Sequence, residues 1–133
     1  MSSSDLVYFF FELSNQIKLY HWQTSIYARH VASDQLFLGL LPLIDQFMET
    51  YQGKKGFRVS LPPSANNQER YKMDVTVYQF DDSQMVKYLT ERVKFLQDKL
   101  PGQYIRSSDT DLLNIRDEMV GLINKTLYLF TFE

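Results

Sequence analysis

The chain has no cysteine among its 133 residues, which excludes a disulfide scaffold, a thiolate metal site and a cysteine nucleophile. It also lacks a long hydrophobic run. The longest run, from Leu36 to Ile44, contains Gly39 and Pro42 and is too short to span a bilayer. No basic and apolar signal segment precedes the first helical pattern. We therefore expect a cytoplasmic protein with no membrane partner, located in a host cytoplasm or a virion if its source is viral.

An excess of basic charge is also missing. The 14 lysines and arginines are balanced by 16 aspartates and glutamates, which gives a formal net charge of −2. Nucleic-acid-binding proteins usually carry a basic excess, so this balance argues against DNA binding. Aromatic residues, in contrast, are abundant, at 15% of the chain. We expect some of these rings to be buried between subunits rather than inside one.

Apolar residues recur at helical spacing in four segments. The periodicity predicts helices over about residues 3–27, 28–52, 83–100 and 109–131. A long loop over 53–82 separates the middle two, and its β-prone part, 73–80, is expected to lie extended across the bundle. Pro42 predicts a bend in the second helix rather than its end, because the apolar spacing resumes beyond it. The pattern predicts one all-α domain over 1–133, a ferritin-like four-helix bundle with a long crossover between helices two and three.

Both histidines fall in the first two predicted helices, and acidic residues follow on the second helix. His30 and Asp34 are four residues apart, as are Asp45 and Glu49, so each pair shares one helix face. The interval from Asp34 to Asp45 corresponds to about three full turns, so both pairs lie on one stripe, about 16 Å apart along the axis. One helix therefore cannot bring both pairs to a single metal ion.

Two copies of this helix, packed antiparallel about a two-fold axis, could bring the pairs together. His30 and Asp34 of one protomer would then meet the acidic pair of its partner, and a two-fold dimer would contain two identical sites. His21, on the first helix, could complete each site beside His30. Two imidazoles and three carboxylates suit Fe(II), Mn(II) or Zn(II).

These residues resemble the ferroxidase signature of the Dps miniferritins. The matching elements are His21-Trp22, His30-x-x-x-Asp34 and Asp45-x-x-x-Glu49. Further similarity, to Dps-like proteins of large DNA viruses and phages, lies in residues 19–24 and 51–53. The resemblance covers about residues 5–53, and over 83–131 only the helix pattern agrees.

The resemblance implies a hollow shell of twelve subunits that binds Fe(II) at the dimer sites, oxidises it with peroxide or O2 and stores the ferric mineral. That activity would place the protein in the response to oxidative stress. The implied metal ligands, which are also the catalytic residues, are His21, His30, Asp34, Asp45 and Glu49. Iron is the expected metal, and zinc or manganese could replace it.

An alternative function keeps the bundle without the metal. The interval from His21 to His30 is shorter than is usual in Dps proteins, Gln23 replaces the usual asparagine, and Pro42 lies between the two halves of the site. These departures favour a metal-free structural or interaction protein, such as a viral or phage component. In either case, we expect Trp22 in the core or over the site. The apolar segment 128–132 is expected to lie against another subunit or beneath the long loop.

Overall fold

The computed structural model describes residues 3–61 and 76–133, and within these residues the chain is helical with no β-strand. The helices are α1 (Ser3–Gln23), α2 (Tyr27–Lys55), α3 (Asp82–Lys94), a π-helical segment (Phe95–Lys99), the short α4 (Leu100–Gln103) and α5 (Thr110–Leu129). Because α3 continues directly into the π-helical segment, the bundle has four long helices. The predicted all-α helical bundle is confirmed.

The turn between the first two helices differs from the prediction. α1 ends at Gln23 instead of about Tyr27, because Ile26 adopts an extended backbone (φ −93°, ψ 113°). The hydroxyl of Thr24 accepts a hydrogen bond from the N–H of Ile26 across this turn. α2 then runs as a single helix through Pro42 to Lys55, three residues further than predicted. It ends there because Gly56, at φ 78°, provides a left-handed C-cap.

The third helix begins and ends close to its predicted limits. Asp81 is its N-cap and forms a reciprocal capping box with Gln84. Helical backbone angles stop after Leu100, because Pro101 has a ψ of 135° and Gly102 a φ of 90°. The last helix, α5, begins without a side-chain cap. The N-cap there is Asp109, whose carboxylate instead accepts a hydrogen bond from the N–H of Arg106.

The four long helices enclose one apolar core. α2 packs against α1 and α5, and α5 packs against α3. Phe9 of α1 stacks on Phe95, with ring centroids 4.2 Å apart, which closes the bundle between the first and third helices. Fully buried side chains from each of the long helices fill the interior, including Leu6, Leu13, Ile17, Leu36, Leu40, Met85, Leu89, Leu112 and Met119.

Each end of the bundle is held by polar contacts. At one end, Lys54 of α2 reaches Asp111 at the start of α5 (2.8 Å). At the other end, the hydroxyl of Tyr20 donates to Asp82 at the start of α3 (2.5 Å). The guanidinium of Arg29 donates to the Tyr20 oxygen (3.0 Å) and to the backbone carbonyl of Asp82 (2.8 Å). Burial is the main reason that the pKa of Tyr20 is raised, and its hydrogen bond to Asp82 adds to the shift.

Two glutamines hold the described ends of the connection between α2 and α3. Gln52 accepts a hydrogen bond from the N–H of Val59. Gln16, almost fully buried in α1, accepts from the N–H of Tyr78 and donates to its carbonyl, both at 2.8 Å. Residues 76–80 are thus non-helical and are held on α1 at Tyr78, and the rest of the stretch that was predicted to be extended, 73–75, lies outside the described residues with the remainder of 62–75.

The C-terminal apolar segment, residues 128–132, is only partly buried. In the C-terminal segment, Phe130 is buried against Tyr20, whereas Tyr128 and Phe132 are exposed. Phe130 is thus covered by α1 of its own protomer and not by the long loop or another subunit, as was expected, and for Tyr128 and Phe132 the expected contact stays a prediction. No helix among the described residues is long and apolar enough to cross a membrane.

Candidate metal site

The turn between α1 and α2 brings the two histidines into contact. His21 lies in the last turn of α1 and His30 in the first turn of α2, and their rings stack with centroids 3.9 Å apart and planes 15° apart. Each Nδ1 faces the backbone carbonyl of the other histidine, at 2.6 Å for His21 and 2.8 Å for His30. A carbonyl oxygen can only accept, so Nδ1 of each neutral ring carries the proton.

This crossed pairing fixes what the two rings can do chemically. With the protons on Nδ1, both Nε2 atoms keep their lone pairs. An Nδ1–H held by a carbonyl oxygen is the outer-shell arrangement that orients histidines in metal sites. The hydroxyl of the fully buried Ser33 also donates to the His30 carbonyl (3.1 Å), which adds a second anchor to that side of the pair. Two imidazole nitrogens are thus available as ligands at one end of the bundle.

Asp34 lies beside this pair and is also held by a lysine. Nε2 of His21 is 3.9 Å from Oδ1 of Asp34, too far for a hydrogen bond. Ligand atoms about 2.0–2.2 Å from one metal ion can be up to about 4.3 Å apart, so this distance is compatible with a shared ion. The ammonium of Lys18 lies 3.0 Å from the same oxygen and 4.7 Å from the ring centre of Phe37. The hydrogen bond from Lys18 is the main cause of the lowered pKa of the Asp34 carboxyl.

We expect the substitution Lys18→Met to raise the pKa of Asp34 toward its ordinary value of about 4. The depressed pKa means that the ion pair stabilises the fold above that ordinary value and loses its effect as the pH falls through the depressed one. Carbon-13 NMR titration of the Asp34 carboxyl would measure the change. An unchanged titration would show that the lysine does not hold this carboxylate in solution. Lys87→Met, on α3, is the control.

The other two predicted ligands lie elsewhere on α2. Asp45 and Glu49 are exposed, and neither has a hydrogen bond or ion pair with any residue of the described part of the chain. Within residues 3–61 and 76–133 of a single protomer, no group of three or more histidine, aspartate or glutamate side chains is placed to hold a metal ion. The structure places the stacked pair of His21 and His30 beside Asp34, although these three residues do not form a metal site within one protomer of the described part of the chain, and it leaves the acidic pair apart.

An exposed stripe on α2 connects the two halves of the predicted site. Leu38 is 58% exposed and Leu41 is 41% exposed, although both are leucines in the middle of a long helix. Asp34 and Asp45 flank these leucines on either side. Three pairs of residues on this stripe share one midpoint in the sequence, between Gly39 and Leu40. The pairs are Leu38 with Leu41, Asp34 with Asp45, and His30 with Glu49. We call the face that contains these six residues the α2 seam.

Sequence reasoning missed two features of this region. Lys18 was not predicted near the site, although its spacing of three residues before His21 places both on one face of α1. Trp22 was expected in the core or over the site, but it is 69% exposed and no ring contact to either histidine is found. The core prediction for Trp22 is wrong, because the tight turn after Gln23 leaves this position at the outer corner of the bundle.

The fold and this site define a helical-bundle protein with a stacked histidine pair at the turn between its first two helices. A model for a family of unknown function (DUF5856) matches residues 21–130, and the chain belongs to that family. No curated protein and no solved structure matches the chain. The matched region begins at His21 and contains all five predicted ligands.

Proposed function

We propose that this protein is a Dps-like miniferritin that binds and oxidises Fe(II) between two-fold related subunits and stores the ferric product in a shell. The observation that carries the proposal is the stacked histidine pair beside Asp34 at one end of the α2 seam, whose Nε2 atoms form no hydrogen bond with any residue that the structure describes. The iron is the substrate here. Zn(II) or Mn(II) would fit the same ligands.

The symmetry of the seam supports an inter-subunit site. If two α2 helices pack antiparallel with the two-fold axis between Gly39 and Leu40, Leu38 meets the partner's Leu41. The same operation places Asp34 beside the partner's Asp45. Two carboxylates brought together in this way repel each other unless a cation lies between them. A divalent ion bound by these groups would remove that repulsion and join the subunits.

The order of the helices supports a ferritin-like topology. The Lys54–Asp111 ion pair shows that the end of α2 lies beside the start of α5. The Tyr20–Asp82 hydrogen bond shows that the start of α3 lies beside the end of α1. Since α1 and α2 are antiparallel, α2 and α3 run in the same direction. A connection that returns along the length of the bundle would then be needed, as in ferritin-like proteins with one long crossover.

In the proposed reaction the protein holds and orients the ferrous ions. His21 and His30 would supply nitrogen ligands and Asp34 an oxygen ligand, and Asp45 and Glu49 of the partner would complete the set. Each peroxide takes one electron from each of two ferrous ions, its O–O bond breaks, and two protons complete two water molecules. Carboxylate ligands favour the ferric product because they are hard anionic oxygen donors. Binding of iron also requires Asp34 to leave Lys18.

The site predicts a specific kinetic result. Mixing the apo-protein with Fe(II) and peroxide should give a fast rise of ferric absorbance, and Asp34→Ala combined with His30→Ala should slow its initial rate by more than about tenfold, since two ligands are lost. Asp117→Ala, an exposed aspartate on α5, should leave the rate unchanged. An equal rate in the double variant and the unmodified protein would reject the assignment.

Mixed dimers would test whether the site is shared. Asp34→Ala and Asp45→Ala each destroy both sites of a homodimer. When the two variants are unfolded and refolded together, half of the dimers should be mixed, and each mixed dimer contains one intact site. About a quarter of the original fast phase should therefore return. A site formed within one protomer would give no recovery at all.

The Lys18–Asp34 pair favours a second candidate function. Because a lysine already neutralises this carboxylate, the seam could hold two subunits together without metal, as in a structural or interaction protein. A native dimer that takes up no Fe(II), Mn(II) or Zn(II) would support this second function and contradict the first.

A further inference from the structure

A cavity of about 440 Å³ opens at the C-terminal end of α2. It is lined by Glu49, Gln52, Gly53, Gly56, Phe57 and Arg58. On a helical wheel, two of its three α2 residues, Glu49 and Gln52, point in the same direction as the α2 seam. Around Gly53 and Gly56, the space where a Cβ would lie has no heavy atom within 4 Å in the described part of the chain. The cavity is therefore open where these two glycines lie.

A large aromatic side chain is exposed at the opposite end of the same helix. Tyr27, the first residue of α2, is 78% exposed, and its ring lies 6.2 Å from that of His30. A tyrosine ring can bury about 150–250 Å² at an interface at low cost in side-chain entropy. Tyr27 and Gln52 have the same midpoint as the three pairs of the seam.

We infer that this cavity is a socket for Tyr27 of a second copy of this chain. The two-fold axis that brings His30 to the partner's Glu49 also brings Tyr27 to the level of the partner's Gln52. In the socket, the ring would contact the edge of Phe57, and the guanidinium of Arg58 could lie over its face. The two glycines leave the space that the ring needs.

The inference rests on the proposed two-fold dimer and adds a specificity-determining contact to it. Glu49 lines the socket and is also a proposed metal ligand. A tyrosine seated against it would limit where this carboxylate can point and would cover the metal site on the side of the C-terminal end of α2. Formation of the dimer would therefore bury the exposed ring of Tyr27 and fill the open cavity at the same time.

The absence of cysteine allows a direct test by disulfide formation. We expect the double variant Tyr27→Cys/Gly53→Cys, after mild oxidation, to migrate as a covalent dimer on a non-reducing gel. Within one protomer these two positions are about 39 Å apart along α2, so an internal disulfide cannot form. In the antiparallel dimer the two copies of position 27 are also far apart, so Tyr27→Cys alone should stay unlinked. Tyr27→Cys/Gln46→Cys, whose second cysteine lies seven residues (about 10.5 Å) closer to the middle of α2 than position 53, is the matched control.

A binding measurement gives an independent readout. Tyr27→Ala should weaken the dimer by about tenfold to hundredfold in sedimentation experiments, since aromatic anchors dominate interface energetics. Tyr27→Phe should retain most of the affinity. If the cysteine pair stays unlinked and Tyr27→Ala dimerises normally while iron oxidation persists, the socket is wrong and the proposed function stands. If the unmodified protein is a monomer that does not oxidise iron, both are wrong.

Discussion

Replacing Leu38 by aspartate should separate the proposed two-fold dimer into protomers of 15.8 kDa. Leu38 is exposed in one protomer and, in the proposed arrangement, is buried against the partner's Leu41. Burial of a leucine contributes about 1.5–3 kcal/mol, and a two-fold dimer loses this contribution at two symmetry-related contacts when Leu38 is replaced. The added carboxylates would also lie close to Asp34 and Asp45. A loss of about 4 kcal/mol corresponds to roughly a thousandfold weaker association.

Sedimentation velocity over a range of concentrations would measure this effect. Gln46→Asp is the control, since it adds the same charge on an exposed position of α2, about 80° around the helix from Leu38. The fast phase of iron oxidation should disappear with the dimer in Leu38→Asp and persist in Gln46→Asp. A Leu38→Asp protein with an unchanged native mass would show that the seam is not the interface.

Replacing Asp82 by alanine should destabilise the fold by about 3 kcal/mol, because three polar groups depend on this carboxylate. Its Oδ1 accepts hydrogen bonds from the hydroxyls of Tyr20 (2.5 Å) and Thr24 (3.0 Å), and the largely buried guanidinium of Arg29 lies 3.9 Å away. Without the carboxylate, the Tyr20 hydroxyl is left buried without its acceptor.

Urea denaturation followed by circular dichroism would measure the free energy of unfolding. The adjacent residue provides the control, since Asp81 caps α3 at the helix surface and makes no bond to the first two helices. Asp81→Ala should therefore cost less than Asp82→Ala. Equal losses in the two variants would indicate that only the start of α3 matters, and that the link to Tyr20 and Arg29 adds nothing.

The helices were the most predictable part of this chain, because their apolar spacing is regular. The sequence predicted four of them with errors of a few residues at most ends. The largest error, at the end of α1, arose because the spacing continues through Tyr27 while Ile26 is extended. The hydrogen bonds of Gln16 to Tyr78 could not be foreseen, since they join positions 62 residues apart and depend on tertiary packing.

For the candidate site, helical spacing was enough to separate the two halves. It placed His30 and Asp34 on one face and left Asp45 and Glu49 three turns away, and in the structure the acidic pair is indeed separate within one protomer. Spacing could not reveal the crossed bonds of His21 and His30, since these depend on the geometry of a short turn. It also gave no sign that Lys18 binds Asp34.

The pairing of Gln16 with Tyr78 also makes the dynamics of the segment before α3 measurable. Tyr78 lies outside any helix, where a backbone amide ordinarily exchanges its proton with water quickly. Here that proton is held by a side chain inside the bundle. Its deuterium exchange rate would report how often the segment lifts from α1, separately from global unfolding. One amide would then give the opening equilibrium of the chain segment that leads into the third helix.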